Sequence, residues 1–225
     1  MTDNEYVNDT PEHESIVRVV STFDRINVRE STAIYAQLTE GKLLVKHVLV
    51  NGGMQDNPLF NVVFDNQAHF RDFFAHMGYE LILAECGDFY HLRDPNDDES
   101  SETNANETKV QILLLMIGRY YAASARSLAD LGNPVIGLGR DDIEAIDAQP
   151  LTADLLLAGR FQRRFSEEME FLTRRHVAFD LGGGAIVLSD AGMAFLNNLV
   201  DAYAARQESE SGHSVDIPEV LTEGA

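Results

Sequence analysis

Fourteen consecutive residues, DPNDDESSETNANE (94–107), contain six acids, no base, no aromatic residue and no aliphatic larger than alanine. Such a stretch has nothing with which to bury apolar surface and so offset the entropy of ordering it. It reads as a flexible acidic linker, which obliges the chain to fold as two bodies rather than one. The boundaries follow: an acidic, partly disordered extension over 1–29, a first unit over 30–93, the linker over 94–107, a second unit over 108–206 and an acidic disordered tail over 207–225.

Charge supports the same division. The formal net charge is −20, yet residues 1–14, 94–107 and 207–225 hold sixteen acids and no Lys or Arg. What remains is 21 acids against 17 bases, so the folded bodies are nearly balanced and the acidity sits in solvated segments. The longest apolar run, Ile112 to Ile117, is far too short for a membrane span. The polar, acidic N-terminus is unlike a secretory signal, and the single Cys86 excludes an internal disulfide. The expectation is a soluble cytoplasmic protein with no membrane partner.

Each unit shows helices followed by a hairpin. In the first, STAIYAQLTEGKLLVKHVLV offers one or two helical segments. Phe70, Phe73, Phe74 and Met77 then fall at i, i+3, i+4 and i+7 on a helix that Gly78 stops. Two short apolar runs flank Glu85-Cys86-Gly87-Asp88 and predict a β-hairpin. In the second, a buried helix (KVQILLLMIGRYYA) precedes short helices at ARSLADLG and GRDDIEAI. A long helix over 154–175 is predicted next, with Leu157, Phe161, Phe165, Met169 and Leu172 as its apolar stripe. A second hairpin follows, then a closing helix that Ser189-Asp190 would cap. The predicted fold class is mainly α with small β hairpins: tandem winged-helix domains, the hairpins being the wings.

Three constellations suggest chemistry. Asp180-Leu181-Gly182-Gly183-Gly184 is the phrase with which sugar kinases, actin and Hsp70 wrap a phosphate. Here no second such hairpin precedes it, and Ala185 stands where a Thr usually follows, so the glycines read as a wing turn that needs φ > 0. Asp65, His69, Asp72 and His76 would share one helix face and could hold a divalent ion, but they lie opposite the Phe stripe and read as a solvated face. Arg160, Arg163, Arg164, Arg174 and Arg175 concentrate five of the 17 bases on the helix that a winged helix would present to DNA. Three of them have i,i+4 partners by spacing (Arg163–Glu167, Arg164–Glu168, Glu170–Arg174), so any DNA contact is expected to be with phosphates and nonspecific. No nucleophile elbow, phosphate-binding Gly-Lys loop or activated Cys is present, so neither an enzyme nor a cofactor is expected, and no metal site is assigned.

The first hairpin, from Glu80-Leu81-Ile82 through Gly87-Asp88-Phe89-Tyr90-His91-Leu92-Arg93, resembles the "ELI…G-x-F-Y-x-L-R" hairpin of the MukE/MksE family, which likewise follows a Phe-rich helix. The likeness continues through the helices at 109–121 and 154–175, covers about residues 30–205 and is nearer to MksE. It implies a non-catalytic tandem winged-helix ("kite") subunit of a bacterial SMC-like condensin. Such a subunit forms a homodimer and grips a kleisin (MksF-like) that bridges the heads of an SMC ATPase (MksB-like). It would be nucleoid-associated and would serve chromosome organisation or plasmid restriction. The rival classes are a stand-alone winged-helix regulator that reads an operator and an ATPase of the Asp-Leu-Gly-Gly-Gly type.

Overall fold

The structure is a computed structural model and describes residues 26–96 and 102–211. The expectations for residues 1–25, 97–101 and 212–225 lie outside the described residues.

The first unit starts slightly earlier than predicted. Ile26 is buried, and the Asn27 side chain accepts from the Arg29 N–H to cap α1 (Val28–Thr39). The segment after α1 is not helical, as 31–50 had suggested, but forms β1 (Leu44–Val45), β2 (His47–Val50) and β3 (Gly53–Asp56). Asn51 and Gly52, both at positive φ, turn β2 back onto β3, as an Asn-Gly pair does in a tight hairpin. Buried Asn57 then accepts from the Leu59 N–H and donates from its amide to the Val45 carbonyl, so it starts α2 (Pro58–Asp65) and anchors it to β1. Asn66 interrupts the chain before α3 (Gln67–His76), which Gly78 at φ 84° ends. β4 (Glu80–Leu83) and β5 (Phe89–Arg93) form the predicted hairpin, and β1 joins it in a three-stranded antiparallel sheet ordered β1-β5-β4. Ile34, Leu38, Leu44, Phe60, Val63, Phe70, Phe74 and Tyr90 fill the core beneath it.

In the second unit α4 (Glu102–Ala123) begins inside the predicted linker, so the flexible reading of 102–107 is corrected. Acids in a first turn face the positive end of the helix dipole, and composition alone did not weigh that. A 3-10 turn (Leu128–Gly132), α5 (Arg140–Asp147) and α6 (Pro150–Ala158) follow. The single long helix over 154–175 does not exist: α6 stops at Ala158, Gly159–Arg164 form a turn, and α7 runs over Phe165–Arg174. β6 (Ala178–Gly182) and β7 (Ala185–Leu188) make the second hairpin, and α8 (Asp190–Ser211) closes the unit. Since α8 reaches Ser211, residues 207–211 belong to this helix and not to the tail. Leu113, Leu114, Ile117 and Tyr121 of α4 sit at the centre of a core completed by Ile143, Ile146, Phe165, Leu172 and Leu196.

The units repeat one order: helix, short strand, helices, hairpin. In the first, β1 pairs with β5; in the second, Leu138 bridges to Ile186 of β7, again the later strand of the hairpin. They are docked, not strung apart. Val45 and Phe89 of the first unit form a small shared core with Ala191 of α8, and Phe89 meets Phe195 edge-on at 5.3 Å. Polar bonds reinforce it. Asp190 Oδ2 accepts from the His47 N–H at 2.9 Å and lies 3.0 Å from its Nδ1, and the Leu43 N–H donates to the Arg175 carbonyl at 3.0 Å.

Candidate interaction surfaces

The triple glycine is a hairpin turn. Gly183 and Gly184 connect paired Gly182 and Ala185 with φ of 63° and 85°, the geometry of a two-residue hairpin loop. A Cβ built on Gly182 or Gly183 would meet nothing within 4 Å, so backbone conformation, not close approach, demands glycine there. Asp180, the acid of that phrase, accepts at Oδ1 from the Gly182 N–H at 2.7 Å.

This hairpin, α5 and α7 enclose an open groove of about 990 Å³. Its charged lining is mixed: Glu144, Asp147, Glu170 and Asp180 face Arg140 and Arg164. Arg140 is paired with Glu144 at 2.8 Å, and the Asp147 carboxylate accepts from the Phe165 and Ser166 N–H groups to hold the start of α7. A surface of alternating sign, with as many as four acids, is a poor seat for a phosphate backbone.

The five arginines do not form one face. Arg160 lies in the turn before α7 at φ 55°, Arg163 follows in the same turn, and Arg164 caps α7 and lines the groove. Because α7 starts only at Phe165, the predicted i,i+4 pairs Arg163–Glu167 and Arg164–Glu168 are absent from the ion pairs of the described residues. Arg163 instead reaches Glu170 at 3.8 Å, and Arg174 reaches it at 4.0 Å. Arg175 stands at the other end of α7, half-buried, its guanidinium 4.8 Å above the Phe171 ring. Burial and neighbouring Arg174 lower its pKa.

Arg175 belongs to the unit junction, where a cleft of about 560 Å³ is lined from both sides, by Lys42, Phe89 and His91 on one and Val110, Arg175 and Phe195 on the other. His176 sits beside it at φ 60°, its Nδ1 3.1 Å from the Leu43 carbonyl and 3.3 Å from Gln37 Nε2. Burial lowers its pKa, as it does that of His91.

The four residues read as one helix face are separated: Asp65 ends α2, while His69, Asp72 and His76 lie on α3, with the Asn66 break between. His69 stacks on Phe73. Among the described residues no group of three or more His, Cys, Asp or Glu is placed to hold a metal. Cys86 is exposed in the β4–β5 turn. The cation that sequence reasoning missed is Lys109 of α4, whose Nζ is 5.9 Å from the Phe161 ring centre; no local spacing could have tied it to a turn fifty residues away.

The two units are thus docked through a shared core, and the grooves on and between them are open. A family model described as condensin complex protein MksE matches residues 29–200, and the chain belongs to that family: it is a condensin accessory protein. No curated protein gives a match.

Proposed function

We propose that each unit is a winged-helix domain, with β4–β5 and β6–β7 as wings, and that the chain is the kleisin-binding, dimerising accessory subunit of an SMC-like condensin. The observation that carries this reading is the family match over residues 29–200, which spans both units and the junction that docks them. A kleisin (MksF-like) would be gripped by this subunit and would bridge the heads of an SMC ATPase (MksB-like). ATP hydrolysis then belongs to that partner, and this chain contributes shape and contacts at the nucleoid, in chromosome organisation or plasmid restriction. No helix among the described residues is long and apolar enough to cross a membrane.

The rival, an operator-reading regulator, needs a positive helix and wing against DNA. The groove between α7 and the wing has four acids to two bases, which counts against it. Co-expression with the neighbouring operon products tests the proposal. A stable complex with a kleisin, containing two copies of this chain by light scattering, is the expected result. Tight sequence-selective operator binding by the chain alone, without any kleisin complex, would overturn it.

A further inference from the structure

The break between α6 and α7 builds a surface that a continuous helix would not. Gly159 permits it: a Cβ there would lie 2.5 Å from Phe161 Cε2 and 2.8 Å from Ile112 Cδ1. The chain therefore folds tightly over itself, the Arg160 and Phe161 N–H groups donating to the Leu157 and Leu156 carbonyls. Phe161 packs half-buried against the second core beneath Lys109, and Asp147 fixes the far end of the turn by accepting from the Phe165 and Ser166 N–H groups. A turn pinned at both ends and at its centre presents Arg160, Arg163 and Arg164 outward, all exposed, with Lys109 alongside. Their only ion pair within 4.0 Å among the described residues is the long Arg163–Glu170 contact, whose side chains are both more than half exposed, so solvent screens it. Four of the chain's 17 bases thus share one corner of a strongly acidic protein.

We infer that Lys109, Arg160, Arg163 and Arg164 form a phosphate-backbone contact for duplex DNA, which meets the α7–wing groove only at Arg164 and excludes Arg174 and Arg175. The inference rests on the condensin reading, in which the protein works on DNA, and assigns that contact to one corner. Guanidinium forks suit phosphate oxygens. Asp154, Glu167 and Glu168 flank these bases along the chain and confine the contact to them, and contacts made to phosphates carry no base information.

The test is fluorescence anisotropy of a random-sequence 30-base-pair duplex with the full-length chain, from 25 to 150 mM salt. Four neutralised phosphates predict a log–log salt slope of about −3.6, roughly a 600-fold loss across that range. The triple substitution Arg160→Gln, Arg163→Gln, Arg164→Gln should make the slope shallower by about 3, whereas Arg174→Gln should leave it unchanged. The inference is overturned by absent duplex binding at 25 mM salt, by equal effects of the triple and Arg174→Gln variants, or by poly-glutamate binding as tightly as duplex. Kleisin co-purification separates the two levels. A triple variant that loses the kleisin reassigns the corner to a subunit contact and refutes the inference alone, while a wild-type chain that binds no kleisin refutes the condensin reading.

Discussion

Replacing Gly192 by alanine sets two rules against each other. Gly192 lies in the first turn of α8 and is buried. By helix propensity the change should stabilise by roughly 0.5–1 kcal/mol. By packing it should do the reverse. The added Cβ would stand 2.2 Å from the Val177 carbonyl oxygen and 3.2 Å from Leu188 Cβ. The Val177 oxygen is main chain and cannot rotate aside; it already accepts from the Ser189 N–H at 3.0 Å, and the Ser189 hydroxyl, shared with the His176 carbonyl at 2.6 Å, lies 3.0 Å from it. Relief requires α8 to move about 1 Å away from β6, which opens the packing around Ala191 and stretches the Ser189 bonds. Overpacking of this kind costs roughly 1–3 kcal/mol and each weakened bond about 1 kcal/mol, so the expected net loss is about 2–4 kcal/mol. Urea unfolding followed by circular dichroism measures it, with Gly183→Ala as a control for glycine loss at a site with open space but positive φ. A Gly192→Ala chain as stable as the wild type, or more so, would refute the placement of α8 against Val177.

The junction gives a second expectation. Asp190→Ala removes both contacts to His47 and should cost about 1–2 kcal/mol of coupling, visible in calorimetry as two separating transitions; one unchanged transition would show that the apolar contacts suffice. A third concerns pH. Burial holds His91 and His176 below the ordinary 6.5, so on acidification the unfolded chain takes up protons first. Stability should be full above pH 6.5 and decline as pH falls from there toward the folded values. The double variant His91→Asn, His176→Asn should flatten that decline between pH 7.5 and 5.5, and an unaltered decline would count against it. Finally, the Tyr90 hydroxyl is buried without a properly formed hydrogen bond, although Gln67 is near enough to temper the pKa that burial raises. Tyr90→Phe should keep or slightly raise the melting temperature, and a loss above about 1 kcal/mol would reveal a partner.

Glycine and aromatic spacing made both hairpins and the Phe-rich helix readable, because a turn at φ > 0 and an apolar stripe are local requirements. Asn51-Gly52 carried the same signal for β2–β3, but the apolar run Leu43-Leu44-Val45 beside it read as helix. The break at Gly159–Arg164 was masked by its own stripe: Leu157, Phe161 and Phe165 keep a four-residue spacing straight through it. Leu157 proves 78% exposed while Phe165 is fully buried, so the regular spacing did not mark one face. That error paired Arg163 and Arg164 with glutamates they do not reach, and so hid the corner they form with Lys109. The junction was illegible for a different reason. His47 and Asp190 are separated by 143 residues, and neither has a local pattern that names the other.

The long closing helix has a mechanical consequence. Its 22 residues begin at the carboxylate held by the first unit and, at 1.5 Å per residue, extend about 33 Å, with residues 200–206 all exposed. A tilt of only about 10° at Asp190 would carry the far end through about 6 Å, and the burial of Leu196 in the second core, with Met193 and Leu199 packed against it, is what opposes such a tilt.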